Sequence, residues 1–248
     1  MIAAFLFDFN GTLIRSPAWI ALELRDLPRA ALAQLAAAGH IQPRDEQQLT
    51  RADAVFQARR AAAEASLRET SHADDLKAIL QALDLQAAAS PELIAETVAE
   101  LHRRCLPTVE LMADVPQTLH ALRQLGLRLG IISNAAFSPF LTWTLEKFDL
   151  LQYFEEIVVS ADVAARKPGH EIFRIALSRL GLPQRAAAYV GDDFVKDVKA
   201  SKQLNMRSIW YRPNGGGLPP GESLRPDAVV TSHAQIPPLA ARWLSPLD

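Results

Sequence analysis

From Asp114 to the end of the chain, short apolar runs alternate with segments that have the pattern of helices. The helix that starts at Val115-Pro116 ends at Gly126, and later helices cover roughly Pro139 to Lys147 and His170 to Leu180. The predicted strands are Leu127 to Ile132, Glu156 to Ser160, Ala187 to Val190, Ser208 to Tyr211 and Ala228 to Val230. Strands that alternate with helices of about ten residues predict an α/β fold in which helices cover both faces of a parallel sheet.

A further strand is expected close to the start of the chain. The apolar run from Ala3 to Phe7 stops at Asp8, and a Gly11-Thr12 turn follows. This pattern indicates a buried parallel strand that carries a carboxylate to its carboxyl end, the edge where open α/β sheets bind their ligands. The alternative is that Asp8 only caps the segment that follows.

The region from Ser16 to Pro107 contains no strand-like run and is dominated by strong helix formers. Four or so amphipathic helices are expected: from Pro28 to Gly39, from about Arg44 to Arg68, from Ser71, and from Ser90 to about Cys105. A helical block inserted after the first strand predicts a separate lid domain. We therefore expect a sheet domain of residues 1–15 and 109–248 and a helical cap domain of residues 16–108.

Composition narrows the possible partners. The 248 residues are 49% hydrophobic, enough for a sizeable core, and a net charge of −2 favours neither nucleic acid nor an anionic membrane as partner. No span approaches about twenty uninterrupted apolar residues, and Asp8 interrupts the opening apolar run, so neither a membrane helix nor a secretion signal is expected. Cys105 is the single cysteine and cannot form an internal disulfide. A cytoplasmic location fits these features best.

Several charged residues admit two interpretations. Arg51, Arg59, Arg60 and Arg68 recur along one predicted helix and suit either an anion-binding face or, more commonly, a solvated surface. His40 and His72 lie near helix ends and are expected to be caps or surface residues. The loop from Asn214 to Gly221 is rich in glycine but lacks the Lys-Ser/Thr pair of a phosphate-binding loop, so it is read as a turn.

Polar residues follow four of the predicted strands. They are, in chain order, Asp8 with Thr12, Ser133 with Asn134, Lys167, and Asp192 with Asp193 and Asp197. Each alone is weak, because a serine or aspartate after a strand is usually a helix cap and a lone lysine is usually solvated. Because all follow parallel strands, we expect them to converge on one edge of the sheet.

In this order the motifs resemble those of the haloacid dehalogenase-like hydrolase superfamily, in the phosphoglycolate phosphatase-like subgroup with a helical cap after the first motif. Asp8-Phe9-Asn10-Gly11-Thr12-Leu13 looks like the first motif and Ile131-Ile132-Ser133-Asn134 the second. Arg166-Lys167-Pro168 looks like the third, and Val190-Gly191-Asp192-Asp193 with Asp197 the fourth. The resemblance covers nearly the whole chain and implies a Rossmann-like sheet and, for most members, Mg²⁺-dependent phosphatase activity through an aspartyl-phosphate.

The resemblance also implies roles for individual residues. Asp8 would be the nucleophile, and Ser133, Asn134 and Lys167 would bind the phosphoryl oxygens. The metal would be bound by Asp8, by the main-chain carbonyl of Asn10 and by Asp192, helped by Asp193 or Asp197. Physical chemistry favours the same arrangement, since carboxylates gathered at one edge repel each other unless a cation lies among them, and oxygen ligands suit Mg²⁺. Thr12 is expected to fix the loop by a hydrogen bond.

Asn10 departs from the family pattern. Phosphatases of the family have an aspartate at this position, which protonates the leaving oxygen and later deprotonates the attacking water. An amide does neither, and loss of a general acid/base costs about 10²- to 10⁴-fold in rate. His170 could be a substitute proton carrier, although a surface histidine at a helix end is the commoner case.

Three functions therefore stay open at this stage. The first is hydrolysis of a small phosphorylated metabolite such as a sugar phosphate, phosphoglycolate or a nucleotide. The second is 2-haloacid dehalogenase- or phosphonatase-like cleavage, because family members that perform those reactions also lack the second aspartate. The third is a catalytically silent protein that binds a phosphorylated ligand.

Overall fold

The computed structural model describes residues 1–244 and divides into two compact units. The sheet unit consists of Met1–Arg15, Glu110–Asn134 and the residues from Leu145 onward, and the helical unit consists of Ser16–Val109 and Ala135–Thr144. Residues 135–144, which the sequence interpretation assigned to the sheet domain, pack with the helical unit instead. The role of the helical unit as a lid stays a prediction.

Six strands of the sheet unit form a parallel sheet, as the alternating pattern predicts. The strands are β1 (Ala4–Phe7), β2 (Ile14–Arg15), β3 (Glu110–Leu111), β4 (Arg128–Ser133), β5 (Glu156–Val159), β6 (Ala187–Gly191), β7 (Arg207–Tyr211) and β8 (Ala228–Val230). The parallel sheet has the order β5-β4-β1-β6-β7-β8, while β2 and β3 form a separate antiparallel pair. The predicted α/β fold class is confirmed.

The strand β1 lies at the centre of the sheet and sets the position of Asp8. Phe7, its last residue, is paired with Ile131 of β4 on one side and with Val190 of β6 on the other. Every residue of β1 is fully buried. Since successive side chains point to opposite faces, both faces of the sheet are covered, as parallel sheets require. The carboxyl ends of β1, β4 and β6 therefore meet at one edge.

Helices make up most of the remaining structure. They are α1 (Pro17–Ala21), α2 (Leu27–Ala37), α3 (Glu46–Ser66), α4 (His72–Ala82), α5 (Pro91–Cys105), α6 (Val115–Gln124), α7 (Pro139–Lys147), α8 (Ser160–Val163), α9 (His170–Arg179), α10 (Ala200–Gln203) and α11 (Ile236–Leu244). Two π-helical turns occupy Leu22–Asp26 and Phe194–Lys199, and 3₁₀ turns occupy Gln86–Ala88, Leu106–Thr108, Leu151–Tyr153, Gln184–Ala186 and His233–Gln235. No helix among residues 1–244 has the length and apolarity needed to cross a membrane.

Local sequence explains where the helices of the helical unit begin. The Ser71 hydroxyl accepts a hydrogen bond from the Asp74 N–H at the start of α4, and Ser90 does the same for the Leu93 N–H at the start of α5. These bonds satisfy main-chain donors that the first turn of a helix leaves unpaired. One expectation here was wrong: His72, predicted to be a cap or surface residue, is fully buried as the first residue of α4.

Candidate active site at the carboxyl edge of the sheet

Asp8 is the first residue after β1. Its N–H donates to the Val190 carbonyl at 2.8 Å, which continues the pairing of β1 with β6 by one residue. The residue retains 8% of its solvent exposure, in contrast to the fully buried strand before it. The sheet thus fixes the main chain of Asp8 while the strand end opens toward solvent.

Lys167 binds the Asp8 side chain although the two residues are 159 positions apart in the sequence. Its ammonium donates to Asp8 Oδ1 at 2.6 Å, to Asp197 Oδ1 at 2.7 Å and to the Tyr189 hydroxyl at 2.8 Å. Burial alone would lower the pKa of Lys167, but the attraction of Asp197 and Asp8 outweighs it and raises the pKa well above its usual value. Lys167 is therefore a fixed positive charge beside Asp8.

Asn134 holds the main chain of Lys167. Its side-chain amide donates to the Lys167 carbonyl at 2.9 Å, and its side-chain oxygen accepts from the Lys167 N–H at 2.8 Å. This pair of bonds uses both ends of the amide and connects the end of β4 to the loop before α9. Asn134 therefore positions Lys167.

Three carboxylates gather around this ammonium. One oxygen each from Asp8, Asp192 and Asp197 lies within 4.8 Å of the others. The Thr12 hydroxyl donates to Asp8 Oδ2 at 3.3 Å and lies 3.5 Å from Asp192 Oδ1. Thr12 thereby connects the turn after β1 to the end of β6.

The pKa values reflect the crowding of negative charge. Desolvation and repulsion by Asp8 and Asp197 raise the pKa of Asp192 to about 7. Burial and repulsion by Asp8 likewise raise the pKa of Asp197 to about 6, against the attraction of Lys167. Three carboxylates and one ammonium leave an excess of negative charge. The carboxylate atoms that could bind a metal ion here are all oxygens. This donor set suits a hard divalent cation such as Mg²⁺.

Two glycines allow the carboxylates to approach the main chain. Gly11 has φ of +91°, and a Cβ built there would lie 2.4 Å from Asp192 Oδ2. A Cβ on Gly191 would lie 2.4 Å from the Asp197 carboxylate. Both separations are shorter than any side chain tolerates, so glycine is required at each position.

The other predicted site residues are placed differently. The Asp193 carboxylate accepts from the N–H groups of Val195 and Lys196, which caps the π-helical turn. Among the described residues, the cluster of carboxylates consists of Asp8, Asp192 and Asp197 and does not include Asp193. Of the two alternatives for a helper of Asp192, Asp197 is the one that lies with Asp8. Ser133 ends β4 and is 2% exposed, and Asn10 is half-buried in the turn after β1. The exposed His170 contacts Gln203 at 3.2 Å, consistent with a residue at a helix end.

One residue of this site was not foreseen. The Tyr189 hydroxyl accepts from Lys167 and donates to the Ile132 carbonyl at 3.1 Å. A tyrosine in the middle of a strand has the sequence pattern of a core residue, and no local signal distinguishes it. Its hydroxyl is an acceptor of the Lys167 ammonium beside Asp8 and Asp197.

Comparisons with known proteins agree with the motif pattern. A family model described as haloacid dehalogenase-like hydrolase matches residues 48–211. The chain is 38% identical over 116 residues to a zebrafish (Danio rerio) haloacid dehalogenase-like hydrolase domain-containing protein 3, a match that covers 46% of this chain and 47% of the relative. It is 34% identical over 131 residues to a phosphoglycolate phosphatase of Salmonella paratyphi A, covering 52% and 50%. The chain thus spans about half the length of the curated relatives it matches.

A solved structure extends the similarity to nearly the full chain. A 2-haloacid dehalogenase from Pseudomonas syringae pv. Tomato superposes with a TM-score of 0.72 at 25% sequence identity, covering 98% of this chain and all of that one. The family model alone accounts for more than half of the sequence, and the matched residues include Ser133, Lys167, Asp192 and Asp197. The resemblance drawn from the four motifs is confirmed, and the chain belongs to the haloacid dehalogenase-like hydrolase family.

Proposed function

We propose that this protein is a Mg²⁺-dependent hydrolase of small phosphomonoesters and that Asp8 is its nucleophile. The observation that carries the proposal is the contact between Lys167 and Asp8, at 2.6 Å, within a group of three carboxylates at the open edge of the sheet. A fixed ammonium beside a carboxylate offsets the charge of a phosphoryl group that approaches it. The phosphoglycolate phosphatase relative supports a small phosphorylated metabolite as substrate.

The two oxygens of Asp8 have different partners. Oδ1 accepts the short bond from Lys167 at 2.6 Å, while the Thr12 hydroxyl donates to Oδ2 at the longer distance of 3.3 Å. We assign the attack on phosphorus to Oδ2, since it is the less strongly bound oxygen. The new bond joins Oδ2 to phosphorus, the ester bond breaks, and the alcohol oxygen leaves. The leaving oxygen takes its proton from solvent. Water then attacks the same phosphorus and gives up a proton to solvent, the bond from phosphorus to Oδ2 breaks, and phosphate and the Asp8 carboxylate are released.

The metal would be bound by Asp8, Asp192 and Asp197, with the Asn10 carbonyl as the further ligand that the family resemblance implies. When bound, Mg²⁺ offsets the charge of the phosphoryl oxygens and of the surrounding carboxylates. Lys167 and Ser133 would bind the remaining phosphoryl oxygens, and Asn134 would keep Lys167 in place.

Asn10 determines which substrates react. Its amide cannot protonate the leaving oxygen, so esters of acidic alcohols such as p-nitrophenol should react much faster than esters of ordinary alcohols. An aspartate at this position would supply the missing proton. The aspartate would also serve as the base for the attacking water, so we expect Asn10→Asp to raise turnover of alkyl phosphates by about 10²- to 10⁴-fold and also to raise turnover of p-nitrophenyl phosphate, for which only the second step gains.

Dehalogenation is the second candidate, and two observations favour it. A halide leaves without a proton, so Asn10 would be no handicap, and the solved structure that matches over 98% of the chain is a 2-haloacid dehalogenase. Against it stands the gathering of the Asp8, Asp192 and Asp197 carboxylates, because three carboxylates at one place suit a reaction that uses a cation. Halide release from 2-chloropropionate distinguishes the two functions.

The deciding experiment measures phosphate release from p-nitrophenyl phosphate across a range of pH, with Mg²⁺ and with chelator. We expect release by the wild type that requires Mg²⁺ and is absent in Asp8→Asn. Absence of release under every condition, together with halide release from 2-chloropropionate, would replace the proposal by the second candidate. Release only after the Asn10→Asp substitution would identify a catalytically silent chain that binds a phosphorylated ligand.

A further inference from the structure

A second cluster of ionisable side chains lies in the helical unit and has no part in the proposed hydrolysis. It consists of Glu23, His72 and His102. Glu23 lies in the π-helical turn Leu22–Asp26 and is 5% exposed, while His72 at the start of α4 and His102 in α5 are fully buried. Glutamate and histidine are rarely buried to this degree without a strong partner.

The separations within the cluster are too long for hydrogen bonds. His102 Nε2 lies 3.7 Å from Glu23 Oε1, and His72 Nε2 lies 3.9 Å from Glu23 Oε2. A protonated imidazole that paired with the carboxylate would close to about 2.7–2.9 Å. Instead two rings stand at nearly equal distances from the two oxygens of one carboxylate. One potential ligand atom from each of the three residues lies within 4.8 Å of the others.

The hydrogen bond at Nδ1 of His102 determines whether the other ring nitrogen, Nε2, presents a lone pair to Glu23. His102 Nδ1 lies 2.8 Å from the Val98 carbonyl, and a carbonyl only accepts, so Nδ1 carries the hydrogen. In the neutral ring Nε2 is then an acceptor aimed at another acceptor. Within residues 1–244, neither ring nitrogen of His72 has a partner at hydrogen-bond distance. Two imidazole rings and a carboxylate that face one another in this way form a set of ligand atoms that could bind a cation between them.

The surroundings of Glu23 fit the same interpretation. Its carboxylate accepts from the Trp19 indole N–H at 3.1 Å and from the Ala136 N–H at 3.0 Å. Burial would raise the pKa of Glu23, but the neighbouring histidines and the Ala136 N–H lower it to about 2. A carbonyl behind one imidazole, as Val98 lies behind His102, and N–H groups that hold the carboxylate are the usual outer contacts of metal ligands.

We propose that Glu23, His72 and His102 bind one divalent ion of the zinc class as a structural site of the helical unit. Two imidazole nitrogens and one carboxylate suit Zn²⁺, Co²⁺ or Fe²⁺ and not Mg²⁺, which prefers oxygen ligands. Ligand atoms bonded to one such ion at about 2.0–2.2 Å lie about 3.0–3.6 Å apart, so the side chains would move closer together when the ion binds, from the 3.7 and 3.9 Å that separate each imidazole from the nearer Glu23 oxygen. The ion joins the turn before α2, the start of α4, the middle of α5 and, through Ala136, the segment 135–144.

The test measures the zinc content of the full chain expressed in zinc-supplemented medium and kept in excess Mg²⁺, which occupies the oxygen-only group at the sheet edge. Elemental analysis should find about one zinc per chain in the wild type, in Asp192→Asn and in His120→Gln, which changes an exposed histidine of α6. His72→Leu and Glu23→Gln should both lose it. Zinc content that is near zero in the wild type, or equal in all five proteins, would overturn the proposal.

Two further measurements separate a metal site from a purely structural ion pair. The wild type loaded with Co²⁺ should give a visible absorption band of an ion with nitrogen ligands, and His72→Leu should not. A strong chelator should lower the melting temperature of the wild type by several degrees and leave that of His72→Leu unchanged. If no metal binds, His72→Leu should melt at or above the wild type without chelator, because it removes an unpaired buried ring.

Discussion

Asp197 is held from three directions, and each contact depends on a single residue. Lys167 binds Oδ1, the Asp193 N–H donates to Oδ2 at 3.0 Å, and Gly191 lies against the carboxylate where any side chain would collide. The position of this carboxylate sets the position of the lysine that also binds Asp8. A small change at Gly191 should therefore affect both stability and activity.

Gly191→Ala tests this coupling. The added methyl would lie 2.4 Å from the Asp197 carboxylate, so we expect a loss of about 1–3 kcal/mol in the free energy of unfolding and a lower rate of phosphate release. Gly217→Ala is the control, because an added Cβ there has no neighbour within 4 Å among the described residues. Urea unfolding of both variants measures the difference. Equal stability of the two variants would contradict the packing described for Asp197.

His233 should make the protein sensitive to acid. This buried residue packs on the Tyr211 ring, and burial, opposed by Asp114, lowers its pKa to about 4. The unfolded chain takes up the proton at about pH 6.5 and the folded chain only near pH 4, so stability is complete above pH 6.5 and falls as the pH drops to 4. At about 1.4 kcal/mol per pKa unit the loss reaches up to about 3 kcal/mol.

The measurement for His233 is the free energy of unfolding of the wild type and of His233→Phe at several pH values between 4 and 7. Other groups titrate in this range, so the difference between the two proteins isolates His233. We expect the difference to grow in favour of the variant as the pH falls. A difference that stays constant with pH would mean that His233 is protonated in the folded chain as easily as in the unfolded one.

At this scale the sequence was informative only where a residue stands at the end of a strand. Asp8 and Asp192 could be predicted as site residues because each directly follows an apolar run that ends at the edge of a parallel sheet, whereas Lys167 lies in a loop beyond α8. Tyr189 could not be identified, since it lies within such a run and its hydroxyl is directed by tertiary packing. Asp193 and Asp197 could not be distinguished, because the choice depends on the local path of the π-helical turn.

Among the elements, α3 and α4 show how paired charges can be mistaken for a binding surface. Three of the four arginines lie in α3 and Arg68 follows its end, but Arg60 is buried and donates to Glu69 at 2.8 Å, and Arg59 donates to the buried Asp75 at 2.6 Å. Only Arg51 and Arg68 of the four are exposed. The arginines that face inward therefore connect α3 to α4 and do not form an anion-binding face.

Arg60→Met should destabilise the helical unit strongly. The substitution keeps most of the side-chain volume but leaves Glu69 and Asp75 buried without one of their positive partners, at a cost of about 3–5 kcal/mol. Arg51→Met changes an exposed residue of the same helix and should cost less than about 0.5 kcal/mol. Thermal unfolding compares the two variants. Similar melting temperatures would mean that the buried pair contributes no more than a surface charge.

The sequence predicted where the helices begin and end better than it predicted which of their residues are buried. The predicted helix from about Arg44 to Arg68 is α3, Glu46–Ser66, and the predicted caps Ser71 and Ser90 both bind the first turn of their helices. Caps act within four residues, so a local pattern suffices to find them. Burial depends on which helices pack together. For that reason the sequence pattern predicted a cap or surface position for His72, and it did not indicate that Glu23 and His102 are buried beside it.

In the whole molecule, the active edge depends on the order of the strands. The alternation of strands and helices predicted a parallel sheet, but it did not specify that β1 lies between β4 and β6. That order places the end of the first strand beside residues from the last third of the chain. The sequence also could not reveal that residues 135–144 leave the sheet unit, since their helical pattern fits either unit.

The central claim is that Asp8 carries the phosphoryl group during turnover. With Asn10 in place of a general base, attack of water on the phosphorylated Asp8 should be slow, so the intermediate should accumulate. The direct measurement is mass spectrometry of the acid-quenched protein after incubation with Mg²⁺ and p-nitrophenyl phosphate. We predict a phosphate label on the peptide that contains Asp8, and none in Asp8→Asn. Phosphate release that proceeds undiminished in Asp8→Asn, with no label on that peptide in the wild type, would contradict the account.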